Sequence, residues 1–224
     1  IGYFWWWAIA VTLISFSTSI TNEIVDRGDV DKYSWNKIHL RPSDRLDKRA
    51  VSLMWWICAL SGLMISFGLE LFFWGLSMLF VGTIYSAKPI RLKARPVFDI
   101  LAQLSVWWWI PFAAPVVYFG MFDTKAFLFV ISLTFLIWGS YYPYQLSDFS
   151  ADKKARLRGS HVFLRMRGSL LFGLASLIFG LATYLAFDIY SFQPWSMVFV
   201  MVALFSLLHY LFWLKRSDTT VETS

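Results

Sequence analysis

An all-α bundle of membrane-spanning helices is the fold class this sequence predicts, and three observations predict it. Of its 224 residues 58% are hydrophobic and 20% aromatic, while only 15% are charged. Apolar runs of about twenty residues recur, the length needed to cross a ~30 Å hydrocarbon core as helix. The charges are gathered into the connections between those runs. A soluble helical protein would instead show polar faces and more charge along its helices. The single cysteine, Cys58, lies inside an apolar run. It excludes an internal disulfide framework and a cysteine-rich metal site.

Seven spans are expected, at roughly 2–21, 50–67, 70–86, 98–119, 125–145, 167–187 and 193–214. The first is too long and too aromatic for a signal-peptide core, so it reads as a spanning helix of a chain whose own start lies upstream. Tight turns are expected at Phe67-Gly68-Leu69-Glu70, at Gly120-Met121-Phe122-Asp123 and near Asp188 to Pro194. Longer connections, 22–49, 87–97 and 146–166, alternate with them, and Lys215 to Ser224 reads as a frayed polar tail. No repeat or low-complexity segment divides the chain, so residues 1–224 are expected to form one transmembrane domain. Its loops would cap a central apolar cavity.

The basic residues set the topology. Seven lie in the 22–49 connection, four in 87–97, six in the 146–168 region and two in the tail, which leaves only Lys125 for the opposite turns. By the positive-inside rule the loaded side is cytoplasmic, with the first residues outside and the C-terminus inside. A net charge of +6 placed this way is a topology signal rather than a nucleic-acid surface. Trp5-Trp6-Trp7, Trp55-Trp56 and Trp107-Trp108-Trp109 read as interfacial or lipid-facing packing. Gly62, Gly68, Gly75, Gly82, Gly173 and Gly180 read as sites of close helix contact. His39, His161 and His209 have no metal spacing to one another and read as structural.

The topology signal does not explain why carboxylates lie on the basic side. Asn22 and Asp26 are four apart and share a face on a helix, with Glu23 beside them and Asp29 and Asp31 continuing into the loop. Asp148 and Asp152 are again four apart at the end of another apolar run. Carboxylates clustered at membrane depth repel one another and lose solvation, so they need a cation. Hard oxygen ligands suit Mg²⁺, which is usually bound by a carboxylate or two plus phosphate oxygens. Both patches fall at helix C-termini, where the dipole favours a cation. Arg41, Arg91, Lys93 and Arg95 are placed to hold an anion, and a guanidinium matches phosphate oxygens. A metal–diphosphate site beside a very apolar bundle points to a prenyl diphosphate.

These residues also resemble a family. NEIVDRGDVDK followed by NKIHLRP looks like the first acidic motif of the UbiA superfamily of intramembrane prenyltransferases, written NDxxDxxxD and followed by Arg-Pro. YSAKPIRLKARPVFD is similar to the family's middle cytoplasmic loop. YQLSDFSADKKARLRGS resembles its second motif, DxxxD with a following basic residue. The three occur in order and on one side, so the resemblance covers nearly the whole chain. It implies that Asn22, Asp26, Asp148 and Asp152 hold Mg²⁺–diphosphate. It implies that Arg41, Tyr85, Arg91, Lys93 and Lys153 bind diphosphate or help ionisation. Catalysis would then fall to Asp26, Asp148, Asp152 and Tyr85. There are departures: Glu23 stands where the family has Asp, and the motif's last Asp falls at Val30, between Asp29 and Asp31. Glu23, Asp29 and Asp31 therefore stay open as further metal ligands. The family has nine spanning helices, so a chain with seven is expected to be truncated.

The expected activity is Mg²⁺-dependent transfer of a prenyl group from its diphosphate to a lipophilic acceptor in the membrane, with release of diphosphate. The middle loop points to carotenoid-, chlorophyll- or lipid-type acceptors, with the aromatic prenyltransferases of quinone biosynthesis as the alternative. The expected location is a bacterial inner membrane, with the active site open to the cytoplasm. A phosphotransferase acting on nucleotide-activated lipids would need one dense acidic motif, whereas these patches are more than 100 residues apart. A non-catalytic carrier or lipid-binding protein would use the same charges without turnover.

Overall fold

Helices form every regular element among the described residues of the computed structural model, which are 2–27, 33, 47–120, 123–188, 201 and 203–212. They fall into two compact units, Ile1–Met121 with Ser150–Gly159, and Phe122–Phe149 with Ser160–Ser224. Four helical stretches are long and apolar enough to cross a membrane: Gly2–Asp26, Lys48–Gly68, Phe98–Tyr118 and Arg165–Ala186. Phe72–Ser86, Ala126–Tyr142 and Ala203–Phe212 are shorter apolar helices. Each of the seven expected spans thus meets an apolar helix, four of them at full length. The first part of the seventh, and the turn before it, lie outside the described residues. The protein is an all-α integral membrane protein.

In the first unit α1 runs Gly2–Arg27. Its 26 residues make it about 39 Å long. That exceeds a ~30 Å hydrocarbon core, so its last turns reach the membrane boundary. The buried positions of α1 follow helical spacing: Trp7, Ala10, Ile14, Ser17, Thr18 and Asp26. One inward stripe therefore changes from apolar to hydroxyl to carboxylate along the helix.

Two core clusters back the apolar part of that stripe. Trp7 and Ala10 pack with Leu69, Leu71 and Ala114. Ile14 packs with Met78, Val106 and Ile110. The partners come from α2 (Lys48–Gly68) with the turn after it, from α3 (Phe72–Ser86), and from α4 (Phe98–Tyr118). The hairpin between α2 and α3 turns through Glu70, whose φ is 61°. The turn uses up Leu69 to Leu71, which is why α3 is shorter than its apolar run.

The middle of α4, Ser105–Ala113, is π-helical and contains Pro111. Proline has no N–H to donate and crowds the carbonyl one turn back. A wide turn relieves both conflicts. Trp7 Nε1 donates to the Pro111 carbonyl at 2.8 Å, tying α1 to this turn. In each tryptophan cluster some rings face outward, among them Trp5, Trp6, Trp56, Trp107 and Trp109.

The second unit is built on α5 (Thr124–Ser147) and α8 (Arg165–Asp188). Between them in the chain lie the short α6 (Phe149–Lys154), whose residues from Ser150 on belong to the first unit, and α7 (Ser160–Phe163). Asp123 caps α5 by accepting from Ala126 N at 2.7 Å. Glycines let α5 and α8 approach backbone to backbone: a methyl at Gly139 would lie 2.6 Å from Leu177 N, and one at Gly180 2.5 Å from Leu136 N. Tyr210, on α9 (Ala203–Phe212), donates to the Gly139 carbonyl at 2.6 Å and lies over Gly173.

Gly62, Gly75 and Gly82 are close-contact positions in the first unit, as Gly173 and Gly180 are in the second. Gly68 is a correction: nothing lies within 4 Å of a side chain placed there, because it sits where α2 ends and the chain turns away. Gly180→Ala should therefore cost about 1–3 kcal/mol through overpacking. Gly68→Ala should be neutral or slightly stabilising. Thermal unfolding of the two variants in one detergent checks this, and equal losses would contradict the packing described.

Candidate active site

The polar end of the α1 stripe meets the connection between α3 and α4. Because α1 stays helical through Arg27, Asn22 and Asp26 stand one turn apart on the inward side. The connection reaches them through a left-handed residue: Arg91 has φ 43° and ψ 65°. A non-glycine residue in this region is uncommon and costly, and such residues collect at functional sites. The turn at Arg91 opens a short 3-10 turn, Leu92–Ala94, and brings two cationic side chains to the same carboxylate.

Lys93 Nζ donates to Asn22 Oδ1 at 2.9 Å and also to Asp26 Oδ1. Arg91 Nη2 lies 3.4 Å from Asp26 Oδ1. Ser86, the last residue of α3, donates from Oγ to Asn22 Oδ1 at 2.6 Å. All of this is enclosed: Asp26 is 5% exposed and Lys93 8%, and Ser86 has no exposed surface. Burial holds the Lys93 ammonium below the usual lysine range. The charges of Asp26 and Asp152 oppose that fall, and Arg91 adds to it.

Asp152 belongs to the same unit. Its segment is held there by Ala151 and Leu157, which pack against Ala94 of the 3-10 turn and Ala155. Leu157 N donates to the Asp152 carbonyl at 2.9 Å, closing the turn after α6. Asp26 of the first acidic motif pairs with Lys93, and Asp152 of the second lies within its electrostatic reach. Asp148 belongs to the other unit, where it is half-buried at the C-terminus of α5 and its N–H donates to the Gln145 carbonyl.

The remaining candidates divide. Glu23 is half-buried beside Asn22. Tyr85 is half-buried, and its Oη accepts from Gln103 Nε2 of α4. Arg95 and Lys153 are exposed and are not drawn into the buried cluster. Arg41, Asp29, Asp31 and the Val30 position lie outside the described residues, as does His39. His161 is buried against Phe149, and His209 is exposed. Sequence reasoning missed Ser86, Gln103 and the fully buried Asp99. Asp99 and Gln103 are four apart in an otherwise apolar span, which is itself a signal that polar side chains face inward. Ser86 carries no such signal beyond its place in the Tyr-Ser pair.

The oxygens fit a divalent cation. Asn22 Oδ1 and Asp26 Oδ1 converge on one positive charge, here the ammonium of Lys93. Among the described residues no three His, Cys, Asp or Glu side chains gather into a metal cage. A carboxylate and an amide oxygen would suit Mg²⁺ where phosphate oxygens and waters complete its octahedron.

Buried carboxylate and cationic groups and a half-buried amide thus gather at the polar end of the apolar stripe of α1. The sequence model of the UbiA prenyltransferase family matches residues 1–223. A UbiA homolog from Archaeoglobus fulgidus, solved bound to DMAPP and Mg²⁺, is similar in structure, with a TM-score of 0.74 at 18% sequence identity. The match covers 95% of this chain and 75% of that one, and at this identity it speaks for the fold. No curated protein sequence matches the chain. The chain belongs to the UbiA prenyltransferase family.

Breaking a buried ion pair from one side costs about 3–5 kcal/mol, whereas removing both charges costs much less. Asp26→Leu should lower the unfolding temperature of the ligand-free protein in detergent. Adding Lys93→Met should recover part of the loss. Additive losses in this cycle would mean that the pair is not coupled.

Proposed function

We propose that this protein is a Mg²⁺-dependent prenyltransferase that moves a prenyl group from its diphosphate to a lipophilic acceptor within the membrane. The observation that carries this reading is the cluster of half-buried Asn22 with buried Asp26, Arg91 and Lys93, with Asp152 in electrostatic reach, at the end of the apolar stripe of α1. Family membership supports it, and so does the DMAPP and Mg²⁺ bound by the Archaeoglobus fulgidus homolog. Residues 1–224 would work as one catalytic domain. The concentration of Lys and Arg in three connections and the tail supports a site opening to the cytoplasm.

In this reading Asn22, Asp26 and Asp152 hold the metal, and Asp148 keeps the role implied by its motif. Bound Mg²⁺ would supply positive charge against the departing diphosphate. Arg91 and Lys93 have their charged heads buried at this place and would bind diphosphate oxygens. The bond from the allylic carbon to the diphosphate oxygen breaks and its electron pair leaves with the diphosphate. The acceptor then gives electrons to the allylic carbon and loses a proton. Tyr85, whose oxygen accepts from Gln103 near the end of α3, would help ionisation as its motif implies. Arg95 and Lys153 would act at the rim. Carotenoid-, chlorophyll- or lipid-type molecules are the acceptors proposed.

Asp26→Asn and Asp152→Asn should each lower prenyl transfer at least 100-fold, on the order of what removing one charge-stabilising group costs. Diphosphate release and mass spectrometry of products, with geranylgeranyl diphosphate and a membrane extract, check this below the unfolding temperature. Transfer at the normal rate in either variant, or in excess EDTA, would overturn the reading.

A further inference from the structure

The Asn22 amide has two ends, and only its oxygen suits a cation. Lys93, which can only donate, decides which end is presented, and Ser86 binds the same oxygen. Its hydroxyl, buried at the end of α3, donates to Asn22 Oδ1 at 2.6 Å. An amide turned the other way would set its N–H against the Lys93 ammonium, which can only donate, whereas the Ser86 hydroxyl could rotate to accept. Lys93 donates to the same oxygen at 2.9 Å and to Asp26 as well. One ammonium therefore fills the point on which both oxygens converge. Neither Asn22 nor Asp26 can present that point to a metal ion until the ammonium leaves.

Leaving has a cost. Lys93 is 8% exposed, with Ala94 next to it packed under Ala151 and Leu157. A buried ammonium moved off its carboxylate needs another anion to receive it. Diphosphate is such an anion, and a bare divalent cation is not.

We propose that Ser86 and Lys93 are a positioning pair for loading the site. The Lys93 ammonium turns the Asn22 oxygen to the cation position and holds that position until diphosphate accepts it, and the Ser86 hydroxyl keeps its hydrogen bond to that oxygen. The divalent ion and the diphosphate then bind as a coupled pair, and the metal alone binds poorly. This rests on the prenyltransferase reading above and adds an order of events to it.

The test measures binding without turnover. The full chain is purified in detergent, and Mn²⁺ is titrated with electron paramagnetic resonance detection, with and without inorganic diphosphate. Mn²⁺ shares the preference of Mg²⁺ for octahedral oxygen ligands. In the wild type Mn²⁺ alone should bind weakly, and diphosphate should tighten it beyond its binding to free diphosphate. Lys93→Met and Lys93→Gln should each bind Mn²⁺ alone about tenfold or more tightly, because the competing occupant has gone. Both should lose much of the coupling to diphosphate. Lys93→Gln keeps an N–H for Asn22, so it serves if the methionine variant folds poorly. Lys93→Arg keeps the charge and should stay weak for the metal alone. Ser86→Ala should weaken metal binding with diphosphate about tenfold, as loss of a hydrogen-bond partner of a ligand does, and Ser86→Thr should restore it. Metal-alone affinity unchanged or lowered in both neutral variants overturns the proposal, even if the coupled complex forms. If wild type takes no Mn²⁺ even with diphosphate, the prenyltransferase reading falls as well.

Discussion

The Asp26 carboxylate is the group on which the rest of this arrangement depends. It is buried at the end of an apolar helix, where an unpaired charge would cost several kcal/mol. Lys93 and Arg91 answer it, and both come from a connection folded back on itself through a left-handed residue. The demand for a counter-charge explains why the connection is ordered and buried although it is rich in basic residues. The second acidic segment reaches the same place by apolar packing, Ala151 and Leu157 settling against Ala94.

Much of this was legible in the sequence, for physical reasons that differ between residues. Asn22 and Asp26 could be placed on one face because α1 has no helix breaker between Gly2 and Arg27. The basic connections could be placed on one side because charge in loops is not obscured by packing. Lys93 and Arg91 could be named as anion binders, but not as partners of Asp26, because that depends on the backbone at Arg91. No glycine or asparagine marks the left-handed residue Arg91, so that turn could not be read in advance, whereas the turn ending at Glu70 was expected. Ser86 escaped notice because a lone serine at a helix end is ordinary. Gly68 and Gly139 show the limit from the other side. Small residues signal possible close approach, and only the neighbouring helix decides whether it happens.

The two units reach helix contact by different routes. In the first, side chains of mixed size interlock around Ile14 and Met78. In the second, α5 and α8 meet almost backbone to backbone at Gly139 and Gly180. Lipid offers no hydrophobic drive for helices to associate, so close packing and polar contacts such as Tyr210 to the Gly139 carbonyl carry more of the stability.

The π-helical stretch of α4 has a further consequence. A wide turn acts as one residue inserted into an α-helix, and each α residue turns the chain by about 100°. The stretch therefore sets the phase between the two halves of α4. Its first half turns Asp99 and Gln103 inward, while Val106, Ile110 and Ala114 keep the second half in register with the apolar core. Pro111, often read as a defect in a helix, here lies inside the wide turn that carries Val106 and Ile110 to the apolar core.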